Sequence, residues 1–370
     1  MIVGVPKETK PEENRVSMTP AGVEVLRQHG HQVLVEKDAG AASGFPDPAY
    51  AAAGAEILGA AAEVFARSEM ILRVKEPQPP EYGFLEKGRI YFSYLHLAAS
   101  AQVARVLLER GTVALAYETI QRTDGSLPLL KPMSEVAGPM AIQEGAKYLE
   151  MAQGGHGVLL GGVPGVDPGM VVIIGGGVVG LAAAKKACGL GARVYVLDVN
   201  LDRLRYLSDV MPANCFLLMS SPANIRHLIP RADLIVGCIL IPGRRTPTVI
   251  TRDMLATLKK GTVLVDVSID QGGCFETSRE TTHTRPTFTL EGIVHYCVSN
   301  MPGAVPKTST LALTNATLPY VLEIADKGWS RTMRDNKEIR LGANVIEGKV
   351  IHPGVAETLG LEHVPAEEIL

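Results

Sequence analysis

The sequence GGGVVG at residues 175–180 has the residue types and the spacing of a phosphate-binding turn. It follows a run of strand-forming residues, VVIIGG, and precedes a helix-like segment, LAAAKKACG. In a GxGxxG turn the first glycine permits the bend, the second lets the backbone approach a pyrophosphate, and the third lets helix and strand pack closely. The helix N-terminus adds unpaired N–H groups and a partial positive charge. The turn predicts dinucleotide binding, and alone it is a weak signal.

Asp198 strengthens this prediction because it ends a second strand-like run, RVYVLD, roughly 20 residues after the glycines, where an acid accepts hydrogen bonds from an adenosine ribose. The competing explanation is a solvent-facing acid at a strand end. The charge of Asp198 would also repel the 2′-phosphate of NADP, by about 4 kcal/mol per unit charge at ~4 Å and an effective dielectric constant of ~20. NAD is therefore the predicted cofactor, and the nearby Arg203 and Arg205 would weaken the preference.

Asp270 is a second candidate for chemistry. Residues 262–273 read TVLVDVSIDQGG, a run of strand-forming residues that ends in an acid followed by paired glycines. We expect Asp270 at the carboxyl end of a parallel strand, in the crevice where doubly wound sheets bind ligands. Gly272 and Gly273 would let the chain turn tightly beside it.

The elements that must position these residues alternate short strands with amphipathic helices, which predicts mostly parallel sheets covered by helices. In the first 130 or so residues the strand-like runs are IVGVPKE, HQVLVEKDAG, MILRVKE, RIYFSYLHL and TVALAYETI, and the helix-like runs are AGVEVLRQHG, PAYAAAGAE and ASAQVARVLLERG. A second unit begins near Met170 with VVIIGG, RVYVLDV, ADLIVGCIL and TVLVDVSID. Helical patterns at 134–152 and 309–328 bracket it, and their internal Pro139 and Pro319 should kink them.

Composition excludes several classes of protein. A chain of 370 residues favours two domains. A net charge of -3 with 20% charged residues gives no basic excess for nucleic acid. The five cysteines form no CxxC pair, so neither a disulfide framework nor a zinc site is indicated. The start MIVGVPKE lacks the regions of a signal peptide, and the longest apolar window, 169–184, is too short to span a bilayer. We expect a cytoplasmic protein.

The chain closely resembles the NAD-dependent L-alanine dehydrogenases, a family related to the nucleotide-binding part of proton-translocating transhydrogenases. The resemblance covers essentially the whole chain. It is carried by the blocks GVPKE, ENRVSMTP, LRVKEP, FSYLHLA, PMSEVAG, QGGHGVLLGGVPGV, SIDQGGCFE and SNMPGAVPKTSTLALTNATLPY.

The resemblance implies an α/β fold of two doubly wound, mostly parallel, Rossmann-like domains joined by two long helices. The substrate domain would be discontinuous, with residues 1–130 and 304–370, around an NAD-binding domain of residues 131–303. The inter-domain helices would be 131–152 and 309–328. Members of the family are usually homohexamers.

The resemblance also implies a catalytic set for oxidative deamination of L-alanine to pyruvate and ammonia. Arg15 would clamp the substrate carboxylate, which suits a guanidinium fork, although from sequence alone a surface arginine is the simpler explanation. Lys75, which follows the apolar run MILRV, would contact the bound oxo acid while its stem stays buried. His96 would be the acid/base residue, although a lone histidine in an apolar strand is more often a core residue. Asp270 would act with His96 on the water that attacks the imine.

Nucleotide contacts are predicted from the motif and from the resemblance together. The glycine turn and the acid region supply Gly175, Gly177, Val178, Val179, Gly180, Asp198 and Arg203. The resemblance adds Ser134, Ser220, Ile239, Leu240, Val267, Ser268, Ile269, Asp270, Arg279, Val298, Ser299, Asn300 and Met301. For Ser134, a helix N-cap is an equally good local explanation.

One departure concerns a magnesium site, formed in some family members by a glutamate and a histidine four residues apart on the late helix. Here these positions are Glu323 and Lys327, and an ammonium has no lone pair to offer a cation. We predict no metal and an ordinary ion pair at helical spacing. Two alternatives to an alanine dehydrogenase remain at this point: a transhydrogenase-type nucleotide-binding subunit and a non-catalytic NAD-binding protein.

Overall fold

The computed structural model describes residues 1–241 and 245–370 of the chain, which fold as two α/β units. The first unit contains Met1–Met133 and Gly303–Leu370, and the second contains Ser134–Pro302. The first unit is therefore discontinuous in sequence. The predicted fold class, two mostly parallel sheets with interleaved helices, is confirmed.

The strands and helices are labelled in chain order. The strands are β1 (Ile2–Val5), β2 (Gln32–Glu36), β3 (Glu56–Leu58), β4 (Met70–Leu72), β5 (Ile90–Ser93), β6 (Val113–Ala116), β7 (Met170–Ile174), β8 (Arg193–Asp198), β9 (Cys215–Met219), β10 (Leu234–Gly237), β11 (Val263–Asp266), β12 (Thr287–Leu290), β13 (Ile293–Tyr296), β14 (Ala343–Ile346) and β15 (Lys349–Val350). The helices are α1 (Pro20–Gln28), α2 (Asp47–Ala52), α3 (Ala61–Arg67), α4 (Ala101–Arg110), α5 (Lys131–Tyr148), α6 (Val178–Gly189), α7 (Leu201–Val210), α8 (Pro222–Leu228), α9 (Arg252–Leu255), α10 (Pro306–Lys327), α11 (Trp329–Asp335), α12 (Lys337–Leu341) and α13 (Pro353–Leu359).

The sheet of the first unit has the strand order β15-β14-β6-β5-β4-β1-β2-β3. The strands from β6 to β3 in this order are parallel to their neighbours. The C-terminal segment adds β14 antiparallel to β6, and β15 antiparallel to β14. The sequence runs chosen as strands contain β1, β2, β4, β5 and β6. The antiparallel extension and β3 were not expected, because runs of two to four residues carry little periodicity.

The sheet of the second unit has the order β12-β13-β11-β10-β7-β8-β9. All neighbours are parallel except β12, which pairs antiparallel with β13. Taking β7, β8, β9, β10, β11 and β13 as strands one to six, the order is 3-2-1-4-5-6, that of doubly wound dinucleotide-binding sheets. The order reverses between β7 and β10. In the first unit the corresponding reversal lies between β1 and β4.

Burial on both faces explains why the central strands read as continuous apolar runs rather than alternating ones. Every residue of β7, β10 and β11 is buried. The edge strand β9 is only partly covered, and Phe216 and Met219 on it are exposed. Packing in the apolar interior therefore fixes the central strands, and the loops that leave these strands begin at fixed positions.

Helices α5 and α10 contain Pro139 and Pro319 in their interiors, as the sequence placed them. Helix α5 ends at Tyr148, before the predicted end at 152. On α10, Glu323 Oε1 lies 3.0 Å from Lys327 Nζ, which confirms the predicted ion pair. Among the described residues, no group of three or more His, Cys, Asp or Glu side chains could hold a metal ion. No helix within the same residues is long and apolar enough to cross a membrane.

A buried ionic cluster lies where the order of the first sheet reverses. The guanidinium of Arg73 is fully buried; its Nε is 3.1 Å from Glu8 Oε1 and its Nη1 donates to Glu81 Oε1 at 2.6 Å. Burial raises the pKa of Glu8 to about 7, although the charge of Arg73 opposes the rise. Charging Glu8 within the fold is therefore costly near neutral pH.

We expect this cost to appear in the pH dependence of stability. A carboxyl whose pKa rises from 4.5 in the unfolded chain to about 7 in the fold stabilises the fold below pH 4.5, and that contribution is lost as the pH rises through 7. At about 1.4 kcal/mol per tenfold change in proton affinity, the loss is about 3 kcal/mol between pH 4.5 and 8. Glu8→Gln should remove this dependence, so the variant gains stability over the unaltered protein by that amount across the interval.

Urea unfolding of both proteins at several pH values measures the difference. Glu109→Gln, at an exposed glutamate of α4, controls for the loss of one negative charge. A difference between the Glu8→Gln variant and the unaltered protein that stays constant from pH 4.5 to 8 would contradict the assignment.

Candidate active site

The glycine turn of the second unit has the geometry that its motif predicts. Gly175 follows β7 with φ +108°, and a Cβ on it would lie 2.7 Å from the carbonyl oxygen of Cys238. A Cβ on Gly180 would lie 1.9 Å from the carbonyl oxygen of Gly175. A Cβ on Gly177 meets nothing within 4 Å. Two glycines are thus required by packing, and the third leaves the backbone open to approach from outside.

Asp198 closes the turn from the neighbouring strand. It ends β8, and its Oδ2 accepts from Gly176 N at 2.6 Å while its Oδ1 accepts from Asn200 N at 2.8 Å. Arg203, on α7, donates from Nε to Gly176 O at 2.5 Å and from Nη2 to Gly177 O at 3.1 Å. The acid and the arginine therefore hold the N–H and the C=O groups of the same turn. Arg205 is exposed and pairs instead with Asp202 at 2.7 Å.

The predicted nucleotide contacts follow the carboxyl ends of parallel strands in one sheet. After β7 and β8 come the turn and the acid already described. Ser220 follows β9, and Ile239 and Leu240 follow β10. Val267, Ser268, Ile269 and Asp270 follow β11, and Val298, Ser299, Asn300 and Met301 follow β13. The carboxyl ends of parallel strands lie along one side of a sheet. These residues therefore lie together on the side where such sheets bind ligands.

Two predicted contacts lie away from the strand ends. Ser134 is half-buried and lies inside the first turn of α5, which begins at Lys131. The explanation of Ser134 as an N-cap is therefore wrong, because a capping residue precedes the first helical residue. Arg279 lies in the loop before β12 and stacks its guanidinium over the ring of Phe288 at 4.2 Å.

Arg15, in the first unit, is buried and held in one orientation by Glu13. Its Nε donates to Glu13 Oε1 at 2.7 Å and its Nη2 donates to Glu13 Oε2 at 2.5 Å. Burial opposes ionisation of Glu13, but Arg15 and then Lys75 outweigh it and lower the pKa of Glu13 to about 2. Arg15 Nη1 faces the Sδ of Met133 at 3.0 Å. Glu13 thus binds the Nε–Nη2 edge of the guanidinium and fixes its plane.

Lys75 lies beyond the strand that was expected to end with it. The strand β4 stops at Leu72, and Lys75 follows in an irregular segment, where it is 8% exposed. Glu8, which follows the neighbouring strand β1, accepts from Val74 N at 2.6 Å and from Lys75 N at 3.4 Å. The Glu8 carboxylate therefore holds the backbone that carries the lysine.

His96 is exposed and lies in a left-handed backbone conformation, with φ 48° and ψ 40°. It is therefore not the core histidine of an apolar strand, since β5 ends at Ser93. Its N–H donates to Glu118 Oε1 at 2.6 Å, and Leu95 N donates to the same oxygen at 3.1 Å. Its ring stacks on Tyr94, with centroids 6.1 Å apart. A non-glycine residue in this conformation persists where its surroundings hold it, and here Glu118 does so.

Asp270 requires a correction. It does not end the strand: β11 stops at Asp266, and Asp270 lies in the following turn Ile269–Gln271, where it is exposed. The acid that ends the strand is Asp266, which is fully buried. The paired glycines do turn as expected, with φ values of 92° at Gly272 and 73° at Gly273.

Comparison with known proteins identifies the family of the chain. Residues 4–137 match the model for the alanine dehydrogenase/PNT N-terminal domain, and residues 141–353 match that for the C-terminal domain. The chain is 52% identical to the alanine dehydrogenase of Methanococcus maripaludis over 100% of both chains, and 53% identical to that of Bacillus subtilis over 100% of this chain and 98% of the relative. A solved L-alanine dehydrogenase superposes with a TM-score of 0.95 at 47% identity, covering 97% of this chain and 99% of the other.

The chain belongs to the alanine dehydrogenase/PNT family. A transhydrogenase from Sinorhizobium meliloti also superposes, with a TM-score of 0.82 at 24% identity over 95% of this chain and 99% of the other. At that identity the likeness shows a shared fold and nothing finer.

Membership of the family does not point to the acids that hold the site loops. Glu8, Glu13, Glu118 and Asp266 were not among the residues predicted from the sequence to form the site. Glu13 lies two residues before Arg15, and Asp266 interrupts the apolar run VLVDV. An acid within a buried run is a usable signal, because a buried carboxylate must find donors. For Glu118 the sequence offers no comparable signal.

The glycine turn generates a test with a matched pair of variants. Gly180→Ala places a methyl group against the Gly175 carbonyl, so it should lower the free energy of unfolding by about 1 to 3 kcal/mol, as overpacking does. Gly177→Ala points its methyl group into open space and should change that free energy by less than about 0.5 kcal/mol. Urea unfolding of both variants in parallel measures the difference. Equal destabilisation would show that the third glycine is not a packing requirement.

Proposed function

We propose that this chain catalyses the reversible, NAD-dependent oxidative deamination of L-alanine to pyruvate and ammonia. The observation that carries the proposal is identity of about half of all positions with alanine dehydrogenases over the entire chain. The arrangement of charged residues in the first unit and of glycines in the second supports it independently. The proposal gives the first unit the substrate role and the second unit the nucleotide role.

Arg15 would bind the substrate carboxylate through its guanidinium. Glu13 already orients the guanidinium from the Nε side, so little side-chain freedom is lost when the substrate binds. The Sδ of Met133 is a weak acceptor that a carboxylate can displace. With Glu13 ionised, the Glu13–Arg15 pair is neutral, and Lys75 supplies the positive charge that favours an anionic substrate.

His96 and Asp270 would move the protons. The bound nicotinamide supplies the hydride acceptor for the hydrogen on the α-carbon of alanine. Water then adds to the carbon of the resulting imine while Asp270 or His96 accepts one of its protons, and that proton is returned to the nitrogen. As the C–N bond breaks, the same groups accept the remaining hydroxyl proton, so that ammonia leaves and pyruvate remains. Lys75 would hold the carbonyl oxygen of the oxo acid. His96 suits this work because it is exposed while its backbone is held by Glu118.

The second unit fits a dinucleotide by its own geometry. The open side of Gly177 and the N-terminus of α6 suit a pyrophosphate. Asp198 suits an adenosine ribose, and its charge disfavours a 2′-phosphate. The other residues that would hold NAD are those gathered at the strand ends, with Ser134 and Arg279. The resemblance further implies a cytoplasmic location and a homohexamer. Sedimentation of the purified protein would test the homohexamer.

The direct test of the function is the absorbance of NADH formed by the purified protein with NAD and L-alanine. Arg15→Lys keeps the charge and loses the planar fork, and loss of one hydrogen bond to a charged group lowers affinity about 10- to 100-fold. We therefore expect the KM for alanine to rise by that factor in this variant. Arg105→Lys, at an exposed arginine of α4, is the matched control and should leave the KM unchanged.

The outcomes of this assay separate the competing functions. Hydride exchange only between two nucleotides would favour a transhydrogenase-type subunit. Nucleotide binding without any turnover would favour a non-catalytic protein. Either result would refute the proposal.

Cofactor preference is tested by removing the charge of Asp198 while keeping its shape. Asp198→Asn retains an acceptor for Gly176 N and removes the repulsion of a 2′-phosphate, so the ratio of kcat/KM for NAD over NADP should fall at least ~10-fold, within the range of one charge interaction. Asp209→Asn, at an exposed acid of α7, should not change the ratio. An unchanged ratio in the Asp198→Asn variant would remove Asp198 from the selectivity determinants.

A further inference from the structure

Asp266 gathers the loop that follows β11. Its Oδ1 accepts from Ser268 N at 3.0 Å, and its Oδ2 accepts from Cys274 N at 2.9 Å and from Phe275 N at 3.3 Å. Ser278 Oγ donates to Oδ2 at 2.6 Å. The residue is 0% exposed. One carboxylate thus binds donors from both ends of the segment 268–278.

The segment held in this way carries Asp270. It is closed on itself by bonds from Gln271 N to Ser268 O at 2.9 Å and from Gly272 N to Ile269 O at 2.9 Å. Asp270 is exposed within this small turn. The position of its carboxylate therefore depends on where the two ends of the turn are fixed, and both ends are fixed by Asp266.

The fit between the carboxylate and the loop is close. Gly273 has φ 73°, and a Cβ on it would lie 2.8 Å from Asp266 Oδ2 and 3.0 Å from Ser278 Cβ. The loop wraps around the carboxylate with no room for a methyl group. A displacement of Asp266 must therefore displace the loop.

We propose that Asp266 is a positioning residue for the proposed reaction: its carboxylate fixes the turn that presents Asp270. This inference rests on the proposed function for the role of Asp270. Asp266 itself is buried beneath the turn and acts through the backbone of the turn. It is the acid with which the strand run ends, and it explains why a charged residue interrupts that apolar run.

The test compares the variants Asp266→Asn and Asp270→Asn with the double variant. Asparagine keeps the size of Asp266 but turns one acceptor into a donor that faces other donors, so the turn should loosen. We expect Asp266→Asn to lower kcat at least 10-fold while the KM for alanine changes less than 3-fold. The double variant should be no slower than Asp270→Asn alone, because a residue that acts only through Asp270 has no further effect once that carboxylate is neutralised.

Asp233→Asn is the matched control. Asp233 is also buried. It directly precedes β10, at the amino ends of the parallel strands, whereas Asp266 lies at their carboxyl ends. It accepts from Met170 N at 2.7 Å and from Lys259 Nζ at 2.8 Å. Its loss should lower stability without changing kcat per folded molecule. Equal losses of kcat in the Asp233→Asn and Asp266→Asn variants would show a merely structural role for Asp266.

Hydrogen exchange supplies a readout that does not depend on activity. Amides of the peptide 267–278 should exchange faster in the Asp266→Asn variant, while those of α6 should not change. If Asp266→Asn does not fold, Ser278→Ala removes the 2.6 Å bond to Asp266 and the weak 3.7 Å bond from Cys297 Sγ, and it should produce the same changes, with about 3-fold lower kcat.

The outcomes distinguish the two proposals. Absence of alanine oxidation by the unaltered protein refutes the proposed function, whatever the exchange data show. An active unaltered protein with losses that multiply in the double variant, or with unchanged exchange over 267–278, overturns the role of Asp266.

Discussion

The loops of the proposed site are held by buried or half-buried carboxyl groups that accept hydrogen bonds from backbone N–H groups. Glu8 follows β1 and holds the loop after β4, Glu118 follows β6 and holds the loop after β5, and Asp198 ends β8 and holds the loop after β7. Where parallel strands end, backbone N–H groups lose their sheet partners and must be satisfied in another way. Each acid supplies the missing acceptors, so it both satisfies and fixes its loop.

The two sheets share a strand order but differ in what lies at the point of reversal. Between β7 and β10 the chain places glycines, which leave backbone open to a phosphate. Between β1 and β4 it places the buried acids Glu8 and Glu81 around Arg73. Glu8 there accepts from the backbone N–H groups of Val74 and Lys75. Equivalent topology therefore provides two different sites, because topology supplies the position and side chains supply the chemistry.

In the first unit, the ionisation of Glu13 depends on the neighbouring cations. Glu13 remains ionised because Arg15 and Lys75 lower its pKa more than burial raises it. Arg15 and Lys75 also supply the positive charge that a carboxylate ligand requires. The fork of Arg15 is oriented before any ligand arrives, so binding costs less conformational entropy.

The sequence alone determined the α/β class, most of the parallel strands, the glycine turn and the family, because these depend on short-range periodicity and on unbroken motifs. Only the tertiary structure decided that β11 ends at Asp266 rather than at Asp270 and that His96 is exposed in a left-handed conformation. It also revealed Glu118, whose donors at residues 95 and 96 are more than 20 residues away in sequence. Hydrogen bonds across neighbouring strands depend on strand order and register, and local sequence does not encode either one.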